Sequence, residues 1–96
     1  MPLHVFVRFD PHPEKQHQLR DELKLLLEPT RAEPGCIRIQ LYESNRDPLA
    51  FFIHSEWADD SAFDAHAKLP RMTRFLGVVD DFITHPLQAV RTRQIA

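Results

Sequence analysis

From Leu3 to Phe9 the chain alternates, with Leu3, Val5, Val7 and Phe9 on one side of an extended backbone and His4, Phe6 and Arg8 on the other. That period of two predicts a strand with two semi-buried faces. Asp10-Pro11-His12-Pro13 breaks it. From Pro13 or Glu14 the leucines fall at 19, 23, 26 and 27, the stripe of an amphipathic helix, while Glu14, Lys15, Arg20, Asp21, Glu22 and Lys24 lie largely on the wet side. Pro29 is expected to kink or end this helix, because it has no amide to donate to the Leu25 carbonyl.

Glu33-Pro34-Gly35 reads as a turn, and Cys36 to Glu43 alternates again, with Ile37, Ile39 and Leu41 opposed to Cys36, Arg38, Gln40 and Tyr42. The polar turn Ser44 to Pro48 joins this strand to Leu49–Trp57 as an antiparallel hairpin. On the second strand Phe51, Ile53, Ser55 and Trp57 share one face, and Phe52, His54 and Glu56 share the other. Asp59 is a good N-cap for a helix through about Ala67, closed by Leu69-Pro70. A further helix from Arg71 should bury Met72, Phe75, Leu76 and Val79, with Asp80 to Phe82 adding a turn. Thr84 to Thr92 reads as a last strand weakened by Pro86. The order strand, helix, strand, strand, helices, strand predicts an α+β fold, a ferredoxin-like four-stranded antiparallel sheet with helices on one face. The opposite face carries Phe6 and Phe52 and needs a cover, which a second copy packed sheet to sheet would provide.

Ninety-six residues set the expectation of a single domain over residues 1–96, small enough for a homodimer to help its stability. Hydrophobic content of 43% with 27% charged residues belongs to a folded globular chain rather than a disordered or membrane one. A net charge of -2 offers no basic field for nucleic acid. The apolar runs are far below the ~20 residues of a membrane span, and no signal-peptide core opens the chain, so the expected location is cytoplasmic. One cysteine, Cys36, excludes an internal disulfide framework, and two glycines exclude Gly-rich nucleotide loops. Six histidines are present, yet none are spaced as His-x-His or His-x-x-x-His, so no metal site is expected.

The chemistry concentrates where the strand ending in Trp57 runs into the helix carrying Phe63 and His66. His66 follows Phe63 by three residues and so points to the same inner side, where an imidazole suits proton transfer. The alternative is a core histidine bonded to a carbonyl. Trp57 is either a flat wall for an aromatic ligand or core filling. Glu56 faces away from Trp57, on the side of His54, where a pairing with Arg8 or a histidine is expected before catalysis. Cys36 is expected to be a small buried residue. Arg38 and Tyr42 share a strand face that lines either a cavity or an interface.

Thr30-Arg31-Ala32-Glu33-Pro34-Gly35-Cys36, Glu56-Trp57, Asp64-Ala65-His66 and Leu69-Pro70-Arg71-Met72-Thr73-Arg74-Phe75, in this order and at these spacings, resemble the antibiotic biosynthesis monooxygenase family of the dimeric α/β barrel superfamily, closest to its quinol monooxygenases. The likeness covers essentially the whole chain. It implies a homodimer with a substrate pocket in each subunit between sheet and helices, and oxidation of a small quinol or phenol by dioxygen with no cofactor. An ionised phenol is electron-rich enough to pass an electron to dioxygen, so the protein must take the proton and keep water away. The resemblance thus gives His66 the proton-handling role and Trp57 the stacking wall, with Val7, Ile53, Phe63, Met72 and Phe75 as apolar lining. Other members degrade haem or isomerise small signalling molecules, and a non-catalytic ligand-binding or stress-response module is the alternative from another class. Haem-degrading relatives carry a first-strand Asn where this chain has Val7. Polyketide-oxidising members carry an Asn and a Tyr where it has Ile53 and Phe63. Both departures point to a more apolar pocket.

Overall fold

The computed structural model describes residues 1–96. Strand β1 (Leu3–Phe9) leads through a 3-10 turn, Pro13–Lys15, into helix α1 (Gln16–Arg31). Then come β2 (Cys36–Glu43), β3 (Phe51–Trp57), α2 (Asp60–Ala67), α3 (Pro70–Val79) and β4 (Gln88–Thr92). The sheet order is β2-β3-β1-β4, and every neighbouring pair is antiparallel. This is the ferredoxin-like arrangement that the alternation of periods predicts.

The stripe on α1 is the anchor of the core. Leu19 and Leu23 are wholly buried and Leu26 and Leu27 nearly so, packed with Phe9, Ile39, Phe51 and Ile53 of the sheet and with Phe75 and Val79 of α3. Truncating one such leucine to alanine typically costs about 2–5 kcal/mol. All three helices therefore sit over the face formed by Val5, Phe9, Ile39, Phe51 and Ile53. The other face keeps Phe6, Tyr42 and Val90 about half exposed.

Four local expectations are corrected. Helix α1 runs through Pro29 to Arg31, so the proline does not end it. The proline removes one bond only, to the carbonyl of Leu25, a residue on the wet side where water can replace the donor, and the buried Thr30 Oγ1 donates to the Leu26 carbonyl at 2.7 Å one residue on. Within β2 the register steps from Cys36 opposite Trp57 to Arg38 opposite Glu56, so Ile37 is the extra residue of a β-bulge. The bulge puts Ile37 outward, half exposed, and turns Cys36 to the helix side with Ile39 and Leu41. Strand β4 begins at Gln88 rather than Thr84, because Ile83 and Thr84 are already committed to Pro11 and Asp10. Leu76, expected in the core, is 43% exposed. On the other hand, Asp59 caps α2 as expected, its carboxylate accepting from the Ala62 amide at 2.9 Å.

Candidate active site

Two concavities flank the sheet. The larger, about 650 Å³, is an open trough on the outer face, walled by Phe6, Arg8, Tyr42, Phe52 and His54 among others. The smaller, about 230 Å³, lies between the sheet and the helices. Two of the buried polar side chains, Ser55 and His66, line the smaller one.

Helix α2 delivers His66 to that cavity in its last turn, and the turn before β2 delivers a carboxylate to meet it. His66 is 5% exposed, and its Nδ1 lies 2.8 and 3.1 Å from the two carboxylate oxygens of Glu33. A carboxylate only accepts, so Nδ1 carries the proton, and in the neutral imidazole the lone pair is then on Nε2, on the far side of the ring. Nε2 makes no hydrogen bond within the chain. Arg71, from the first turn of α3, forms an ion pair with the same Glu33 through Nη2. That Nη2 also donates to Thr30 Oγ1 at 3.3 Å, so the end of α1, the turn, α2 and α3 are tied at one carboxylate.

Gly35 makes this meeting possible. Its φ is +84°, and the Ala58 amide donates to its carbonyl at 2.8 Å. A Cβ there would lie 2.5 Å from the Ala62 Cβ, so only a glycine lets the start of α2 close onto the turn that holds Glu33.

The sequence-predicted site residues divide by position. His66, Val7, Ile53, Phe63, Met72 and Phe75 all line the inner cavity. Trp57 does not line it: the indole is wholly buried behind the wall, its ring centroid 4.8 Å from that of His66 and 5.6 Å from that of Phe63. Trp57 therefore braces the His66 ring from the rear. Its Nε1 donates to Ser55 Oγ at 2.9 Å, and Ser55 does line the cavity. Ser55, Glu33, Arg71 and Thr30 were not among the expected site residues. Glu33, Arg71 and Thr30 stand within the stretches that carry the family resemblance, which was the available signal. Ser55 had only its place on the inner face of β3.

The outer residues pair differently from expectation. Glu56 binds Arg38 of β2 at 3.0 Å rather than Arg8, which reaches Asp10 at 3.0 Å. His54 Nε2 lies 2.9 Å from His4 Nδ1, with the His54 ring stacked on Phe6 as well. Burial, then the neighbouring His4, lowers the His54 pKa from the usual imidazole range. Tyr42 donates to Gln40 at 2.8 Å, on the outer face and away from the cavity. Burial, then the nearby Glu33 charge, raises the pKa of the half-buried Cys36 thiol. No group of three or more His, Cys, Asp or Glu side chains converges as a metal's ligand set would.

The family model for antibiotic biosynthesis monooxygenases matches residues 2–77. The chain belongs to that family. It is 33% identical over 86 residues to a Mycobacterium tuberculosis protein named "Putative monooxygenase Rv0793", an alignment covering 90% of this chain and 84% of that one. It is 28% identical over 80 residues to the Bacillus subtilis protein "Putative monooxygenase YcnE", covering 83% of this chain and 84% of the relative. The solved structure of Rv0793 superposes with a TM-score of 0.93 over 100% of this chain and 97% of that one, at 29% identity in the structural alignment. PA3566 of Pseudomonas aeruginosa superposes at 0.89 over 99% and 95%, with 25% identity. The matched stretch contains β1 to β3, the Glu33 turn, α2 and most of α3, and so Thr30, Glu33, Ser55, His66 and Arg71.

Proposed function

We propose that this chain is a cofactor-independent monooxygenase that oxidises a single-ring quinol or phenol with dioxygen, with His66 as the general base. The observation that carries the reading is the orientation of His66: Nδ1 is held by Glu33, and the ring lines an apolar cavity with Nε2 unpartnered. A phenol entering there would give its proton to Nε2, and the resulting anion would lie among Val7, Ile53, Phe63, Met72 and Phe75, away from bulk water. The cavity of about 230 Å³ lies between the ~150 Å³ that accommodates benzene and the ~300 Å³ at which pockets for drug-sized ligands begin. It suits one ring with small substituents, and not a polycyclic polyketide or haem. Family membership and the names of the relatives support the reaction class.

The reading also includes a homodimer formed through the outer sheet face, because that face exposes Phe6, Tyr42 and Val90 together. The test of the activity is oxygen uptake with a panel of single-ring quinols, wild type against His66→Ala. General-base removal should lower kcat by roughly 10²–10⁴-fold. Equal turnover by the two proteins overturns the role of His66. Saturable binding without oxygen uptake would favour a ligand-binding module.

A further inference from the structure

Of the fifteen residues around the inner cavity only His66 and Ser55 are polar, and the mechanism above uses only His66. Ser55 sits on the inner face of β3 and is 3% exposed. Its Oγ takes the Trp57 Nε1–H at 2.9 Å. An indole nitrogen can only donate, so the serine oxygen must be the acceptor and its own O–H must point elsewhere. The cross-strand neighbours give that hydrogen no partner, since Ser55 stands opposite Val5 on β1 and Ile39 on β2, both aliphatic. No backbone or side-chain acceptor within the chain takes a hydrogen bond from the Ser55 hydroxyl. What remains in front of the hydroxyl is the cavity.

We propose that Ser55 is a hydrogen-bond donor to the ligand, aimed by Trp57 as a positioning residue, so that the site selects single-ring phenols bearing a second oxygen. This rests on the reading of the cavity as a phenol site. The division of labour follows from the two polar groups: His66 Nε2 accepts the hydroxyl proton, and the Ser55 hydroxyl donates to the other oxygen. Trp57 serves both, since it contacts the His66 ring and bonds Ser55. The buried tryptophan thus acts on the ligand through Ser55 and His66 rather than as a wall against it.

Anaerobic titration calorimetry with phenol, catechol and hydroquinone separates binding from turnover. On wild type the better of the two dihydroxy ligands should bind about three- to tenfold more tightly than phenol, the worth of one neutral hydrogen bond. Ser55→Ala should abolish that gap while leaving phenol affinity within about twofold, and Ser55→Thr, which keeps the hydroxyl, should preserve it. Trp57→Phe, which keeps a ring against His66 but cannot bond Ser55, should narrow the gap between phenol and the dihydroxy ligands measured on that same variant, an effect that a purely structural role would not single out. A gap that is missing in wild type or survives Ser55→Ala overturns the proposal and leaves His66 as base untouched. If none of the three compounds binds wild type, the phenol reading itself falls. Ser55→Ala decides the matter should Trp57→Phe fail to fold.

Discussion

A carboxylate buried to about nine-tenths, as Glu33 is, needs donors on every side, and it has the Arg71 guanidinium and the His66 imidazole. Removing it strands both. Glu33→Ala should cost about 2–4 kcal/mol in denaturant unfolding, below the usual range for a broken buried pair because Arg71 is one-third open to solvent. Glu33→Gln should fold better yet lose about tenfold or more in kcat, since an amide can also present its NH₂ to Nδ1 and favour the wrong tautomer. Wild-type kcat in the Gln variant would show that the tautomer is held by something else. Cys36 gives a second check, because a raised thiol pKa leaves less thiolate. At pH 8 it should react with a disulfide reagent several-fold more slowly than free cysteine, and equal rates would contradict its partial burial next to the Glu33 charge. His66 was legible in the sequence because helical spacing fixes its side relative to Phe63. Glu33 was not, because a turn has no period and its partners lie 33 and 38 residues away.

At the scale of elements, the two glycines make opposite predictions. Gly35→Ala places a Cβ against Ala62 at a positive φ, so about 2–4 kcal/mol of stability should be lost, and with it the seating of α2. Gly77 lies inside α3 with open space where a Cβ would go, so Gly77→Ala should raise stability by about 0.5–1 kcal/mol. Chemical denaturation reads both, and a stable Gly35→Ala variant would mean that the turn can be rebuilt. The elements themselves were readable because each has a clean period: two in β1 and β3, 3.6 in α1. The departures arise where tertiary partners decide. A bulge at Ile37 shifts the phase of β2, the far ends of the chain tie Thr84 to Asp10, and the aliphatic rim of the cavity leaves Leu76 partly open.

The sheet separates two environments, a closed face with His66 and an open face with paired rings. The open face predicts a pH response. His54 has its pKa depressed by burial and by His4, so the native state binds its proton less readily than the unfolded chain does. Its contribution to stability is full above about pH 6.5, the unfolded imidazole value, and is lost as the pH falls through the lowered native pKa. The thermal midpoint of wild type should therefore drop between pH 7 and 5 more than that of His54→Gln. Parallel curves would show that His54 is not the titrating group. The same face is the one proposed to meet a second copy, and sedimentation at micromolar concentration should give twice the 11.3 kDa chain mass. The sheet's apolar second face was visible in the sequence through Phe6 and Phe52, whereas the stacking of His4 on His54 depends on strand order and was not.

The proposed role of His66 as general base requires a free Nε2 facing a phenol inside the inner cavity. Long-range ¹⁵N correlation of the imidazoles during anaerobic titration with hydroquinone tests it most directly. Nδ1 of His66 should carry the proton before addition, and its Nε2 resonance should shift selectively as the ligand saturates. A His66 whose Nε2 carries the proton, or whose resonances stay fixed while hydroquinone binds, would contradict it.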